Sequence, residues 1–516
     1  MVSVKIPLFV AVTAVALFGG AGAGVLPHIH PGVHRTLQKQ GTVNLFVTLR
    51  ESTEAVLESV KEVEFATRGT KIASLVDRLT AHAEKTQAPL NALLAKEAAS
   101  NTNGAGSNNS VPLYSSKKSF WISNQVYFKD ATFELVEKLS SLPSVSEVQE
   151  ELVLPLLSAP TESTITSNVT AKEAIELLSS NEWGITKIQA LDVWATGNSG
   201  QGVVVGVIDT GVRYTHSAIR GSFRSDYGWF DPATKSPTPY DDVGHGTHVT
   251  GTIAGADGIG VAPGTKWIAC RGCLVTGCDQ SLLAACAEFM VCPTDTNGNN
   301  KDCSKAPQVV SNSWGSATSN PFFAASVALW RAAGIIPVFS IGNTGPNCGT
   351  TGSPGDYDSV VGVGQSGAVD NLLTQSSKGP TTSGLIKPDI AAPGENIRSA
   401  WITGDYDFKT LSGTSMAAPH VAGVVALMLT AHPKISFDQV RAALASSAEK
   451  WTLKPTNMYC GGIPSTTFPN NDYGHGRVNA FGAVVRTTDR CGDLGELLCG
   501  ELLCEWRADT ASCASW

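Results

Sequence analysis

The chain has 516 residues, with 45 acidic against 37 basic side chains and a net charge of -8, which leaves room for one large domain and one or two small ones. A hydrophobic share of 42% excludes global disorder, and an acidic balance without clustered cations excludes a nucleic-acid scaffold. With only 16% charged residues and 51 glycines, the composition fits an α/β enzyme better than a helical bundle.

Lys5 precedes an almost wholly apolar stretch, 6–23, and Ala21 and Ala23 stand three and one residues before a cut ahead of Gly24. This is the layout of a secretory signal peptide, residues 1–23, and it predicts a secreted, extracellular product without a membrane span. The cysteines agree. All twelve lie at or beyond Cys270, an even number, and after export disulfides are the default. Cys270, Cys273 and Cys278 leave zinc as a minor alternative, without a partner pair at zinc-finger spacing. The pairing is not legible.

Residues 24–158 predict a small α+β unit: a strand over 43–49, mainly helix over 54–96, a polar loop over 101–110, then 120–128, a helix over 131–142 and a strand over 145–154. Residues 159–182 read as a linker rich in Ser and Thr. Asn108 and Asn168 open glycosylation sequons. From 183 to 486, short apolar strands (203–208, 309–311, 335–340, 360–363) alternate with helices (281–290, 321–333), which predicts a mostly parallel sheet covered by helices. A cysteine-rich tail, 487–516, is too small to hold a core without disulfides or docking.

Three segments carry chemistry. Asp209 ends an apolar strand before Gly211, at the carboxyl edge where open α/β sheets place their sites. Alone it could equally ligate a metal, cap a loop or bind a ribose. His245 and His248 stand three apart on a glycine-flanked helix; zinc would need a third ligand, and none suggests itself. We read His245 as a base and His248 as structural. Ser415 sits near the start of an apolar helix over 421–429, with Pro419 placed in the first turn; alone it is an N-cap or a nucleophile. Together, in the order Asp-His-Ser, they supply an orienting acid, a general base and a nucleophile. The chain lacks a G-x-S-x-G elbow around Ser415, which disfavours a lipase.

These blocks, in this order, resemble the signature blocks of the subtilisin-like serine peptidases. The stretches GIGVAPGTKWIACRG (258–272) and VVSNSWG (309–315) are similar to the bacillopeptidase F-like branch, and the likeness covers roughly 183–485. The resemblance implies a subtilisin-like α/β fold and places the oxyanion amide on Asn343, a role that its position in a glycine-flanked loop after a strand also allows. It implies that the backbone of Ser313, Trp314 and Gly315 grips an extended polypeptide substrate and that Gly352 bases the first pocket, which suits a large apolar P1 residue. Asp356 nearby offers a basic preference as the alternative. Residues 24–158 resemble the inhibitor-like propeptide of this family, which folds the enzyme, blocks its cleft and is cut off between 158 and 182.

The resemblance implies a zymogen that processes itself and acts as a monomer, with its own propeptide as intramolecular inhibitor. It implies no cofactor for catalysis, no nucleic acid and no membrane. The disulfide-prone segment 270–303 departs from the simpler family form, and its polar stretch 295–302 could hold a structural calcium or be a plain solvent loop. A catalytically silent secreted binding protein on the same fold is the rival reading.

Overall fold

A computed structural model of the chain describes residues 26–103, 112–156 and 181–487, together with the backbone of two short strands, Cys504–Arg507 and Ser512–Ser515, which pair antiparallel. The signal segment, both sequons, most of the 101–110 loop and the linker up to residue 180 lie outside the described residues.

Seven strands form the large sheet: β7 (Val204–Asp209), β8 (Trp229–Phe230), β9 (Lys266–Arg271), β11 (Val309–Asn312), β12 (Ile336–Ser340), β13 (Val361–Ser366) and β14 (Ile390–Pro393). Their order is β14-β13-β12-β11-β7-β9-β8, and every pair is parallel. The alternation along each strand explains why both faces are covered. Val205, Val207, Val309, Val338 and Val361 face one apolar layer, while Ile208, Ile268, Val310 and Phe339 face the other. The first layer holds α5 (His245–Ala254) and α8 (Thr414–Ala431); the second holds α6 (Gln280–Val291) and α7 (Ala324–Ala332). Among the described residues α8 is the one helix long and apolar enough to cross a membrane, and 89% of it is buried inside the protein. It is apolar all round because it is a core helix.

Strand order reverses at β7: β9 lies on one side and β11 on the other. The carboxyl ends of β7, β11 and β12 therefore meet at a topological switch point, where open α/β sheets form their crevice. Asp209 ends β7, Ser313 follows β11 and Asn343 follows β12.

The N-terminal residues build a second sheet from β1 (His28–Ile29), β2 (Thr42–Leu49), β3 (Ser116–Phe120), β4 (Gln125–Thr132) and β5 (Val145–Glu150), ordered β1-β5-β2-β4-β3. Its helices are α1 (Pro31–Gln40), α2 (Glu54–Glu58), α3 (Arg68–Asn103) and α4 (Phe133–Ser140). Several expectations need correction here. The helix expected over 54–96 is two: α2 stops at Glu58, and α3 restarts where Thr67 and Thr70 cap each other, each backbone N–H donating to the other's hydroxyl at 3.1 Å. The stretch 120–128 is not one element: Phe120 ends β3, 121–124 form a turn with Asn124 at a φ of 49°, and 125–128 begin β4. Residues 145–154 are not one strand. After β5 the chain leaves its sheet, and β6 (Val153–Leu154) pairs antiparallel with β10 (Cys278–Asp279).

The two sheets share a core. Phe46, Ile72, Leu75, Leu79 and Phe120 pack in the same apolar layer as Phe289, Met290 and Trp330 of α6 and α7. Two carboxylates fasten the contact from opposite sides. Glu151 accepts the Ser281 N–H at 3.0 Å in the first turn of α6, where a negative charge suits the helix dipole. Glu288, on α6 itself, accepts the Trp121 N–H at 2.8 Å and the Ile122 N–H at 3.4 Å. Burial pushes the Glu288 carboxyl up to about 7, although Lys118 and the two N–H groups pull the other way.

Eight cysteines close four disulfides, Cys270–Cys286, Cys273–Cys278, Cys292–Cys303 and Cys348–Cys460. The sulfurs considered for zinc are thereby occupied, and the zinc alternative falls.

Candidate active site

Asp209 is buried at the end of β7 and accepts the Thr210 N–H at 2.8 Å. Gly211 follows with a φ of 107°, and a Cβ there would lie 1.9 Å from the Tyr240 carbonyl oxygen. Only glycine lets the 240–244 loop cross this closely. That loop delivers α5, whose first residue is His245. A Cβ on Gly246 would stand 2.2 Å from the Gly211 oxygen, so the missing side chain allows the helix start to press against the strand end. In consequence His245 Nδ1 meets Asp209 Oδ1 at 2.7 Å, with both side chains almost wholly buried.

A carboxylate only accepts, so Nδ1 carries the hydrogen and Nε2 is left as the basic nitrogen. Burial disfavours the imidazolium, but the Asp209 charge, its hydrogen bond and the charge of Asp241 more than offset that. The His245 pKa stands above the ordinary imidazole value. His248 is different. Its Nε2 lies 2.9 Å from the Ile397 oxygen and 3.0 Å from that of Lys409, and burial pushes its pKa down to about 3. It is a neutral structural histidine.

Ser415 is the second residue of α8, after an N-cap at Gly413. Pro419 is the sixth residue of that helix, beyond the first turn where we expected it. A residue at that position would normally donate its N–H to the Ser415 carbonyl, and proline cannot. The Ser313 hydroxyl takes the place of that donor, at 2.9 Å from the Ser415 oxygen. In return Ser415 Oγ donates to the Ser313 oxygen at 3.3 Å. The structure therefore joins Asp209 to His245 and Ser415 to Ser313, but it does not hydrogen-bond Ser415 to His245. His245 Nε2 is buried without a hydrogen-bond partner.

Asn343 is tied to the same helix start. Its Oδ1 accepts the Thr414 N–H at 3.0 Å and the Thr414 hydroxyl at 2.9 Å. With the oxygen held there, the amide NH2 is the free end.

Of the proposed substrate contacts, Trp314 was expected to act through its backbone, and its side chain is engaged inside the fold. Its indole is fully buried, donates to the Ile208 oxygen at 3.1 Å and packs edge-on to Phe323 and Phe339. Its backbone pairs with Leu156 as an antiparallel bridge. Residues 153–156 thus lie as an extended strap between the 278–279 and 314 segments. The Ser316 N–H donates to the Ser353 oxygen at 2.8 Å, and a Cβ on Gly352 would stand 3.0 Å from the Ser316 oxygen. Asp356, 5% exposed, accepts the Ser319 N–H at 2.8 Å through Oδ2, while its Oδ1 has no hydrogen-bond partner.

Sequence reasoning missed Asp241. Its carboxylate accepts the N–H groups of Val243 (3.0 Å), Gly244 (2.8 Å) and Thr247 (3.0 Å) and the Thr247 hydroxyl (2.7 Å), fixing the backbone around His245. An acid followed by glycine just before a helix was the available signal. Among the described residues no cluster of three or more His, Cys, Asp or Glu side chains could hold a metal ion. In the 295–302 loop, Asp295 accepts the N–H groups of Asn297 and Asn299, each at 2.9 Å.

Residues 200–482 match the model of the Subtilase family. Bacillopeptidase F of Bacillus subtilis (strain 168) is 37% identical over 390 residues, 70% of this chain and 26% of that protein. Serine protease AprX of the same strain is 32% identical over 296 residues, 51% of this chain and 65% of AprX. Subtilisin Savinase of Lederbergia lenta is 32% identical over 286 residues, 54% of this chain and 95% of that enzyme. The chain thus spans about a quarter of bacillopeptidase F and just under two thirds of AprX.

Proposed function

The chain belongs to the subtilase family, and from that premise we propose that it is a secreted serine endopeptidase acting through Asp209, His245 and Ser415. The observation that carries this reading is the buried 2.7 Å Asp209–His245 pair, whose unpartnered Nε2 stands at the switch point toward which α8 also points its N-terminus.

Ser415 Oγ leaves the Ser313 oxygen by a rotation about its Cα–Cβ bond and is then deprotonated by His245 Nε2 as it attacks the substrate carbonyl. Asp209 stabilises the imidazolium that forms. The carbonyl oxygen gathers negative charge, which the Asn343 amide and the Ser415 N–H receive; the latter is one of the N–H groups that a helix start leaves unpaired. Loss of one such donor typically costs roughly 3 kcal/mol of transition-state stabilisation. The C–N bond breaks as His245 returns the proton to the leaving amine. Water, activated by the same base, then hydrolyses the acyl-enzyme. No cofactor enters these steps; the 295–302 loop is the candidate for a structural calcium, against a plain solvent loop.

Residues 24–158 act as propeptide and inhibitor, and the strap 153–156 supports this because it pairs with the same Trp314 backbone that a substrate would use. Self-cleavage falls between 158 and 182. The missing side chain at Gly352 favours a large apolar P1 residue, and cleavage mapping on an unfolded protein distinguishes that from a basic preference set by Asp356. The test of the whole reading is Ser415→Ala. The variant should fold, remain uncut and resist a fluorophosphonate probe that labels the processed wild type. Labelling of S415A, or its normal processing, would end the proposal.

A further inference from the structure

The segment around Cys292–Cys303 is unexplained by the catalytic reading, and it is where α3 of the N-terminal unit touches the large sheet's helical layer. Arg68, the first residue of α3, reaches across with its guanidinium. Nε donates to the Ala333 oxygen at 3.0 Å, Nη1 to the Ala306 oxygen at 3.0 Å and Nη2 to the Pro307 oxygen at 2.6 Å. Ala333 is the C-cap of α7, where carbonyls lack intrahelical partners and the dipole favours a cation. Ala306 and Pro307 follow directly on the short turn Cys303–Lys305, which the Cys292–Cys303 disulfide ties to the end of α6. The approach is close: a Cβ on Gly69 would stand 3.0 Å from the Ser304 Cβ. Desolvation lowers the Arg68 pKa to about 10, so the side chain stays charged at neutral pH.

We propose that these three backbone carbonyls form a guanidinium-binding socket remote from the cleft, and that Arg68 in it holds the N-terminal unit on the enzyme after the linker is cut. The inference rests on the reading of residues 24–158 as a propeptide. Three convergent carbonyls match the fixed fan of donors on a guanidinium; a lysine ammonium supplies one compact charge and cannot span them. Because the acceptors are main-chain atoms on a disulfide-tied turn and a helix end, the socket persists when the unit leaves. Two separate anchors, strap and socket, then make retention bivalent, so losing either speeds release.

The test uses the full chain carrying Ser415→Ala and a recognition site for an unrelated site-specific protease within 159–182. An external cut then replaces self-cleavage, and a failure of self-processing leaves the experiment readable. After cutting, dissociation of the N-terminal fragment is followed by size exclusion over time. Arg68→Ala should speed release by about thirtyfold, the lower end for truncating the charged member of a buried hydrogen-bonded contact, and Arg68→Lys should come within a few-fold of it. Arg78→Ala, an exposed arginine of the same helix bonded to the Ser59 hydroxyl, should match the parent. Release of R68A at the parent rate, or full retention of R68K, overturns the proposal. If R68A does not fold, the parent complex is challenged with free arginine or free lysine at equal ionic strength. Release by arginine alone supports the socket, and equal release refutes it.

Discussion

His245 owes its raised pKa to two carboxylates with different duties. Asp209 touches the imidazole, whereas Asp241 acts through the loop that carries it and through its charge. Burial raises the Asp241 carboxyl as well, against the donors that surround it, so its position is held by four hydrogen bonds and not by solvent. On the proposed mechanism His245 is the general base and must be neutral to work, so the acid limb of kcat/KM should fall above the ordinary histidine range. Asp241→Asn keeps an acceptor oxygen but removes a negative charge that favours imidazolium. The limb should therefore move to lower pH, read from initial rates on a small peptide substrate. A limb that stays in place, or moves up, would show that Asp241 only shapes the loop.

Helix α8 shows how one residue's defect is met by another element. Pro419 deprives the Ser415 carbonyl of its helical donor, and Ser313 on the strand side supplies one. Ser313→Ala should leave that buried carbonyl unsatisfied and cost about 1–3 kcal/mol, measured by urea unfolding. Pro419→Ala restores an N–H within the helix, so Ser313→Ala should cost clearly less in that background. Equal costs in both backgrounds would mean the two residues are not coupled. The same logic explains the misplaced proline in the sequence reading: a helix start was legible from the small residues before Val421, but not its position one turn earlier.

Among the described residues the two larger sheets share one apolar layer, with carboxylates exchanged in both directions across the contact. Leu154, on the strap, is buried in that layer. Leu154→Asp would put a charge there and remove an apolar anchor, a loss of about 2–5 kcal/mol for the truncation alone. On the propeptide reading, the processed L154D protein should hydrolyse a small substrate before dilution or degradation frees the wild type. If wild type and L154D show the same lag, the strap does not govern access to the cleft.

Local pattern carried much of the outline. Strands apolar on both faces announced a covered parallel sheet, and Asp209 and His245 stood out as candidates, the first as an acid ending a buried strand before a turn glycine and the second as a histidine flanked by glycines. These signals lie within a few residues of each other, where backbone geometry alone sets the period and the turn. The cysteine pairing, the inward-facing Trp314 ring, the Ser313–Ser415 exchange and the Arg68 socket were decided by the tertiary structure. Each joins residues far apart in the chain, and only packing the layers sets which distant groups come within bonding distance. The sequence by itself determined which side chains could do chemistry; the fold decided which of them meet.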